Sequence, residues 1–313
     1  MQNNPSAAEV PGPKHHLWRG YFLIAAATVC WAAAATFGKA VFNGYLFGGR
    51  SLISPLVLTQ ARTSFAALLL VVYLLLRDGP GVFKISKRDL ALCTLIGTLG
   101  LASSNFFYYW AVQKTSVALA ITVQYTAPVW VLLFMVARGK QRATLRRTFA
   151  VLLALAGVAL VIGFFTSDIK LNRAGVGAAM LAAFSFSFYN IQAQELVTRN
   201  RPLKIMSYAL LSSGVLWLLV NPPWRLAATH YTQGQWAFLF VFACLSMLLP
   251  YVLYFHGLKY LDPTRAVVTS CLEPVFGVIF AAGFIHEPLR WSQGLGILSV
   301  LAGTVLLQRK ASG

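Results

Sequence analysis

The chain has 313 residues, of which 58% are hydrophobic and only 11% charged, against about 25% charged in a soluble domain. A mean hydropathy of +0.67 excludes an ordinary soluble enzyme or binding module and places the chain in a bilayer. The net charge of +18 is spread in short basic clusters between apolar runs. No polar stretch is long enough to form a nucleic-acid-reading domain, so membrane lipid, not nucleic acid, is the expected partner of this charge.

Taken in chain order, residues 1–18, MQNNPSAAEVPGPKHHLW, are polar and Pro-rich and read as a disordered cytoplasmic tail. Ten apolar segments long enough to cross the hydrocarbon follow at 20–41, 55–76, 90–111, 116–137, 148–165, 174–196, 205–221, 235–258, 265–285 and 292–308. Arg50, Lys114, Lys170, Arg173, Arg225 and Arg290 fall in the odd-numbered connections, and Lys39 and Arg62 lie within spans. The other eighteen Lys and Arg residues fall in the tails and the even-numbered connections. That bias predicts both termini in the cytoplasm of a multi-pass plasma-membrane protein (the inner membrane of a bacterium). Cys30, Cys93, Cys244 and Cys271 all sit inside apolar runs and read as buried thiols, with no metal-like spacing. No cofactor or catalytic motif is visible, so neither an enzyme nor a cofactor is expected.

The chain repeats itself at an offset of 146 residues. Tyr108 matches Tyr254, Ala120 matches Ala266, Pro128–Val129 matches Pro274–Val275, and the triplet at 155–157 matches that at 301–303. Near the starts of the halves, Trp31 pairs with Phe186 at an offset of 155. Five spans per half is an odd number, so the second half must enter the membrane from the opposite side. The expected fold is all-α and integral to the membrane: ten transmembrane helices as two inverted five-helix repeats, residues 19–165 and 174–308. Secondary transporters share this build, with substrate held near the midplane between the halves.

Several stretches carry a family resemblance: CWAAAATFGKAVF, with Trp31 and Lys39; LVLTQARTSFAALLL, with Arg62; AVQKTSVALAITVQYTAPVWVLLF; FSFSFYNIQ; and SCLEPVFGVIFAAGFIHEPLRWSQGLGILSVLAGTVLL. Together they resemble the EamA-type transporters of the drug/metabolite transporter superfamily over residues 20–308. The resemblance implies export of small organic metabolites, often amino acids, through a cavity lined by spans one, three, four, six, eight and nine. There are departures from the pattern: the first-half counterparts of Glu273 and Glu287 are Ala127 and Gln141, and Phe186 stands where Trp is usual.

The candidate substrate-cavity residues are Trp31, Lys39, Asn105, Tyr108, Gln124, Pro128, Phe186, Tyr189, Asn190, Tyr251, Tyr254 and Ser270. Aromatic walls with a few polar groups suit a small-molecule site. Glu273 is the only charged residue between Ala266 and Ile285, a position that costs about 2.5–3.5 kcal/mol on insertion scales. Glu273 and Pro274 are the coupling or gating candidates. A buried acid can carry protons as the coupling ion; the competing reading is structural, a carboxyl bridging a helix that Pro274 has broken. Lys39 can snorkel to the interface or offer a cation to a substrate. Arg62 is permanently charged and expected to sit structurally against helix termini or an acid. Small residues on spans five and ten, Gly157, Gly294, Gly296 and Gly303, allow close packing, inside a monomer by default or across a homodimer. Two alternatives stay open. One is a sugar-phosphate or nucleotide-sugar exchanger, which needs more cavity cations than Lys39 and Arg62 supply. The other is a membrane protein without transport, as a scaffold or an intramembrane enzyme.

Overall fold

The computed structural model describes residues 17–42, 53–115, 117–164, 172–284 and 290–308. The expected tail through residue 16 lies outside these, as does Glu287, and the side chain of Lys39 is likewise outside the description. Leu17 and Trp18, assigned to the tail from sequence, already belong to the first helix. Arg19 lies over the Trp18 ring at 5.8 Å, so this turn carries its own basic and aromatic interfacial pair.

Among the described residues the fold is helical, without strands. In chain order the helices are α1 Leu17–Phe42, α2 Pro55–Asp78, α3 Lys87–Leu95, α4 Ser103–Lys114, α5 Val117–Gln124, α6 Ala127–Ala137, α7 Leu145–Val161, α8 Arg173–Arg199, α9 Pro202–Val220, α10 Pro223–Ala227, α11 Gln233–Ala243, α12 Leu249–Leu258, α13 Pro263–Ser270, α14 Leu272–Phe284 and α15 Trp291–Gln308. Their starts follow local chemistry. Ser54, Ser86, Thr144, Asn172, Thr232 and Asp262 each accept a backbone N–H two or three residues into the helix they open, which satisfies donors the helix cannot.

Eight stretches are long and apolar enough to cross a membrane: Leu17–Ala34, Leu56–Asp78, Lys87–Val112, Leu119–Ala137, Arg173–Arg199, Pro202–Val220, Gln233–Leu258 and Trp291–Gln308. The protein is therefore a multi-pass membrane protein. Two shorter apolar stretches lie beside them: α7, with 17 residues, and the α13–α14 pair, interrupted at Cys271.

Four of the expected continuous spans carry irregularities, and these fall at matched places. A π-turn, Ile96–Ala102, joins α3 to α4, and another, Cys244–Leu248, joins α11 to α12; an offset of 146 carries the first onto 242–248, a stretch that contains the second. Helices α5 and α6 part at Tyr125–Thr126, and α13 and α14 part at Cys271, the counterpart of Tyr125. Each break lies just ahead of a matched proline, Pro128 or Pro274. Proline has no N–H for the carbonyl four residues back and its ring crowds that carbonyl, so the backbone opens at Gln124 and Ser270.

The packing repeats too. A side chain at Gly20 would strike Leu261 and Tyr260, and one at Gly175 would strike Thr115 and Lys114; the same offsets, 155 and 146, relate the two contacts. On α7 and α15, Gly157 lies against the Gly296 carbonyl and Val300, while Gly303 lies against the Ala150 carbonyl and Ala154. Shifting one contact by 146 residues produces the other. Gly157, Gly296 and Gly303 thus join the two halves of one chain, whereas Gly294 has open space around it. With no methyl group in the way the backbones touch, which is how helices adhere in lipid.

Candidate functional site

The matched breaks meet inside the bundle. Tyr125 ends α5 and Glu273 opens α14, and the Tyr125 hydroxyl donates to Glu273 Oε2 at 2.7 Å. Tyr125 is buried and Glu273, taken as a whole residue, is half-buried. Tyr108, Tyr189, Tyr251, Cys271 and Arg62 also lie within electrostatic reach of it.

The sequence-predicted cavity residues divide into two groups. Trp31, Asn105, Tyr108, Gln124 and Phe186 are half-buried, like Glu273. The Trp31 ring meets Tyr251 edge-on at 5.2 Å and Tyr254 at 5.3 Å. Asn105 donates to the Leu101 carbonyl at 2.8 Å and reaches the Tyr251 hydroxyl at 3.5 Å. Gln124 reaches Ser104 Oγ at 3.5 Å.

The second group forms a buried polar cluster. Tyr189, Asn190, Tyr254 and Ser270 are all 0% exposed. Tyr254 donates to Asn190 Oδ1 at 2.6 Å, Ser270 donates to the Tyr254 hydroxyl at 3.2 Å, and Asn190 donates to the Phe186 carbonyl at 2.7 Å. The bonds among Asn190, Tyr254 and Ser270 tie α8, α12 and α13 together, while the buried Tyr189 hydroxyl has no hydrogen-bond partner among the described residues. These four residues do not line open space in this conformation. Pro128 and Pro274 are buried as well and act through the breaks they cause. Lys39 sits on α1, with its side chain outside the description.

Arg62 has a partner that the sequence reading missed. It is 6% exposed. Its Nη2 donates to the Ser246 carbonyl at 3.0 Å and its Nη1 to the Tyr109 hydroxyl at 2.6 Å, with Tyr109 and Phe242 rings beside the guanidinium. The expected partner was a helix terminus or an acid; the observed one is a carbonyl inside a span. The signal was present in the sequence. Pro250 stands four residues after Ser246 and cannot bond its carbonyl, so the π-turn leaves an acceptor deep in the bundle that a buried guanidinium satisfies.

The ion pairs between described residues gather at the end of the bundle where α1 begins. Arg199 meets Asp89 at 3.0 Å, Lys140 meets Glu195 at 3.0 Å and Arg201 meets Asp78 at 3.6 Å. Asn200 donates to Asp89 at 3.3 Å and Thr264 to Gln141 at 2.8 Å. Lys204 and Tyr208 donate to the carbonyls of Lys84 and Phe83. Each of these contacts joins the first half of the chain to the second.

The EamA-like transporter family profile matches this chain twice, over residues 18–163 and 173–309. The chain belongs to the EamA-like transporter family. A protein of Archaeoglobus fulgidus named "Uncharacterized transporter" is 28% identical over 217 residues, covering 68% of this chain and 76% of that protein. Another from the same organism and with the same name is 22% identical over 297 residues, covering 93% and 97%. "Uncharacterized transporter YxxF" of Bacillus subtilis is 25% identical over 233 residues, covering 74% and 73%. A solved structure known as "Crystal structure of protein" aligns with a TM-score of 0.72 at 16% identity, covering 92% of this chain and 96% of the other, which establishes likeness of fold. Family and relatives alike point to transport rather than catalysis. Among the described residues no group of His, Cys, Asp and Glu is arranged to hold a metal ion, and the four cysteines are free.

Proposed function

We propose that this EamA-family protein is a secondary transporter that exports small organic metabolites, amino acids or related compounds, by alternating access across the plasma membrane. In this reading it has ten spans as two inverted five-helix repeats, residues 19–165 and 174–308. Both termini are cytoplasmic, and Glu273 couples transport to protons. The helices α7 and α13–α14 supply the ninth and tenth crossings, and the matched breaks and matched glycine contacts support the repeat.

One observation carries the mechanism. The half-helices α5 and α13 are repeat counterparts, yet their surroundings differ. Val267, Val268, Thr269 and Ser270 on α13 are buried, whereas their counterparts Ile121, Thr122, Val123 and Gln124 on α5 are half-buried. Two equivalent pieces of chain sit in inequivalent environments, and the ion pairs lie on the side of the buried one. That difference fits a carrier caught with its cytoplasmic side closed and the opposite side accessible. Exchanging the two environments would exchange the exposed side, which is alternating access in an inverted repeat.

Counterflow in proteoliposomes tests the proposal. Vesicles preloaded with unlabelled metabolites should accumulate the labelled member of one chemical class, and a pH gradient should change the rate. Glu273→Gln should remove the response to the gradient. Folded protein with no flux for any solute offered would count against a carrier, and a gradient response that survives Glu273→Gln would count against coupling through this residue.

A further inference from the structure

We propose that the site takes an organic amine: a protonated nitrogen carried on an apolar or aromatic body. This deepens the transporter reading of the same site and relies on it for the ligand's route of access.

The charge pattern carries the proposal. Five acids fall among the described residues. Asp78, Asp89, Glu195 and Asp262 lie at helix ends, and each has a basic side chain within ion-pair distance. Glu273 lies within a span and has no described cation within that distance; its partner is the neutral hydroxyl of Tyr125 on Oε2. Oε1 accepts no hydrogen bond from a described residue and is not sealed in the core. The carboxyl is thus held at one oxygen and open at the other.

The nearby fixed cation, Arg62, acts on Glu273 through space and forms no ion pair with it. Both terminal nitrogens of Arg62 are committed, to the Ser246 carbonyl and the Tyr109 hydroxyl. A carboxylate without an ion-pair partner, set among apolar spans, favours a ligand that brings a positive charge into contact with it. The walls suit the same ligand. Tyr108 and Tyr251 lie within electrostatic reach of Glu273 and the Trp31 ring packs on Tyr251, and aromatic ring faces attract an ammonium group through their quadrupole. An acid in the ligand would meet Glu273 as a like charge, with no described cation within ion-pair distance of that carboxyl. The preferred ligand is therefore an amine rather than the amino acid that carries the same side chain.

Matched probes test this: phenethylamine against phenylalanine and 3-phenylpropionate, and tryptamine against tryptophan and 3-indolepropionate. Binding to purified full-length protein is read by equilibrium dialysis, and flux by counterflow in vesicles. The amine of each set should bind about tenfold or more tighter than its amino acid, a difference within reach of one unopposed charge pair. Glu273→Gln should remove most of that preference, and Tyr125→Phe, which keeps the carboxylate, should retain it. Tighter binding of the amino acids or acids, no binding of either amine, or an amine preference unchanged in Glu273→Gln overturns the proposal. Flux of an amino acid without flux of its amine would leave the carrier intact and overturn the ligand class. Tight, Glu273-dependent amine binding without any flux would uphold the ligand class and count against transport.

Discussion

The hydroxyl of Tyr125 donates to the carboxyl of Glu273 at 2.7 Å, joining the break between α5 and α6 to the break between α13 and α14. In the repeat alignment Tyr125 is the counterpart of Cys271, and Glu273 the counterpart of Ala127. The bond thus joins the two halves and has no symmetric mate. Each half supplies one member, and a relative movement of the halves is expected to stretch or break it.

Tyr125→Phe removes only the hydroxyl. A hydrogen bond to a charged group contributes about 1.5–3 kcal/mol, so the relative populations of the conformations on either side of that bond should shift by roughly tenfold or more. The expected result is an altered counterflow rate with the thermal unfolding midpoint in detergent nearly unchanged. A flux equal to that of the parent protein would mean that the bond stays intact through the cycle.

The ion pairs at the α1-start end should act as a latch. Exposed pairs contribute only about 0.2–1 kcal/mol each, so one substitution is expected to have a modest effect and three together a large one. Combining Asp89→Asn, Glu195→Gln and Asp78→Asn should open this end. Thr264→Cys, buried on α13, should then react several-fold faster with a maleimide applied from that side. The reversed pair Asp89→Arg with Arg199→Asp should slow the reaction again; equal rates in all variants would remove the latch from the account.

Arg62→Ala would leave the Ser246 carbonyl without its donor inside the bundle and empty the space between Tyr109 and Phe242. A buried acceptor left unsatisfied costs about 1–3 kcal/mol, and lost packing adds to it. A lower unfolding midpoint and a poorer folded yield are expected. Arg62→Lys should recover only part of the loss, because a single ammonium cannot span the carbonyl and the hydroxyl as the guanidinium fork does. Full recovery by lysine would show that charge alone matters there.

At Gly157 a Cβ would sit 2.8 Å from the Gly296 carbonyl oxygen and from the Val300 nitrogen, both backbone atoms that cannot rotate away. Gly157→Ala should therefore push α7 from α15 at a cost of about 1–3 kcal/mol, read as a lower unfolding midpoint. Gly177, on α8, has open space around it, and Gly177→Ala should be tolerated. Size-exclusion profiles should show the same oligomeric state for both variants and the parent, since the α7–α15 contact lies within one chain.

What the amino-acid sequence determined by itself was the medium, the apolar stretches and the repeat. Hydrocarbon accepts only backbone whose hydrogen bonds are satisfied internally, so long apolar runs leave little choice but helices, and a duplicated run must pack like its mate. The prolines at 128, 250 and 274 also marked, in advance, where carbonyls would lose their partners. Tertiary structure decided which partner each freed or buried group found. Arg62 was legible as a structural cation, but its Ser246 carbonyl lies 184 residues away. Tyr189, Asn190, Tyr254 and Ser270 looked like cavity residues by type and span, yet they are sealed within the core, while Trp31, Asn105 and Gln124 keep access. Residue type and helical period report how polar a face is; which neighbour covers that face depends on how the helices cross. The inequivalence of α5 and α13 lies furthest from sequence. Two stretches related by the repeat carry similar local instructions, and only the relative placement of the two halves makes one buried and the other open.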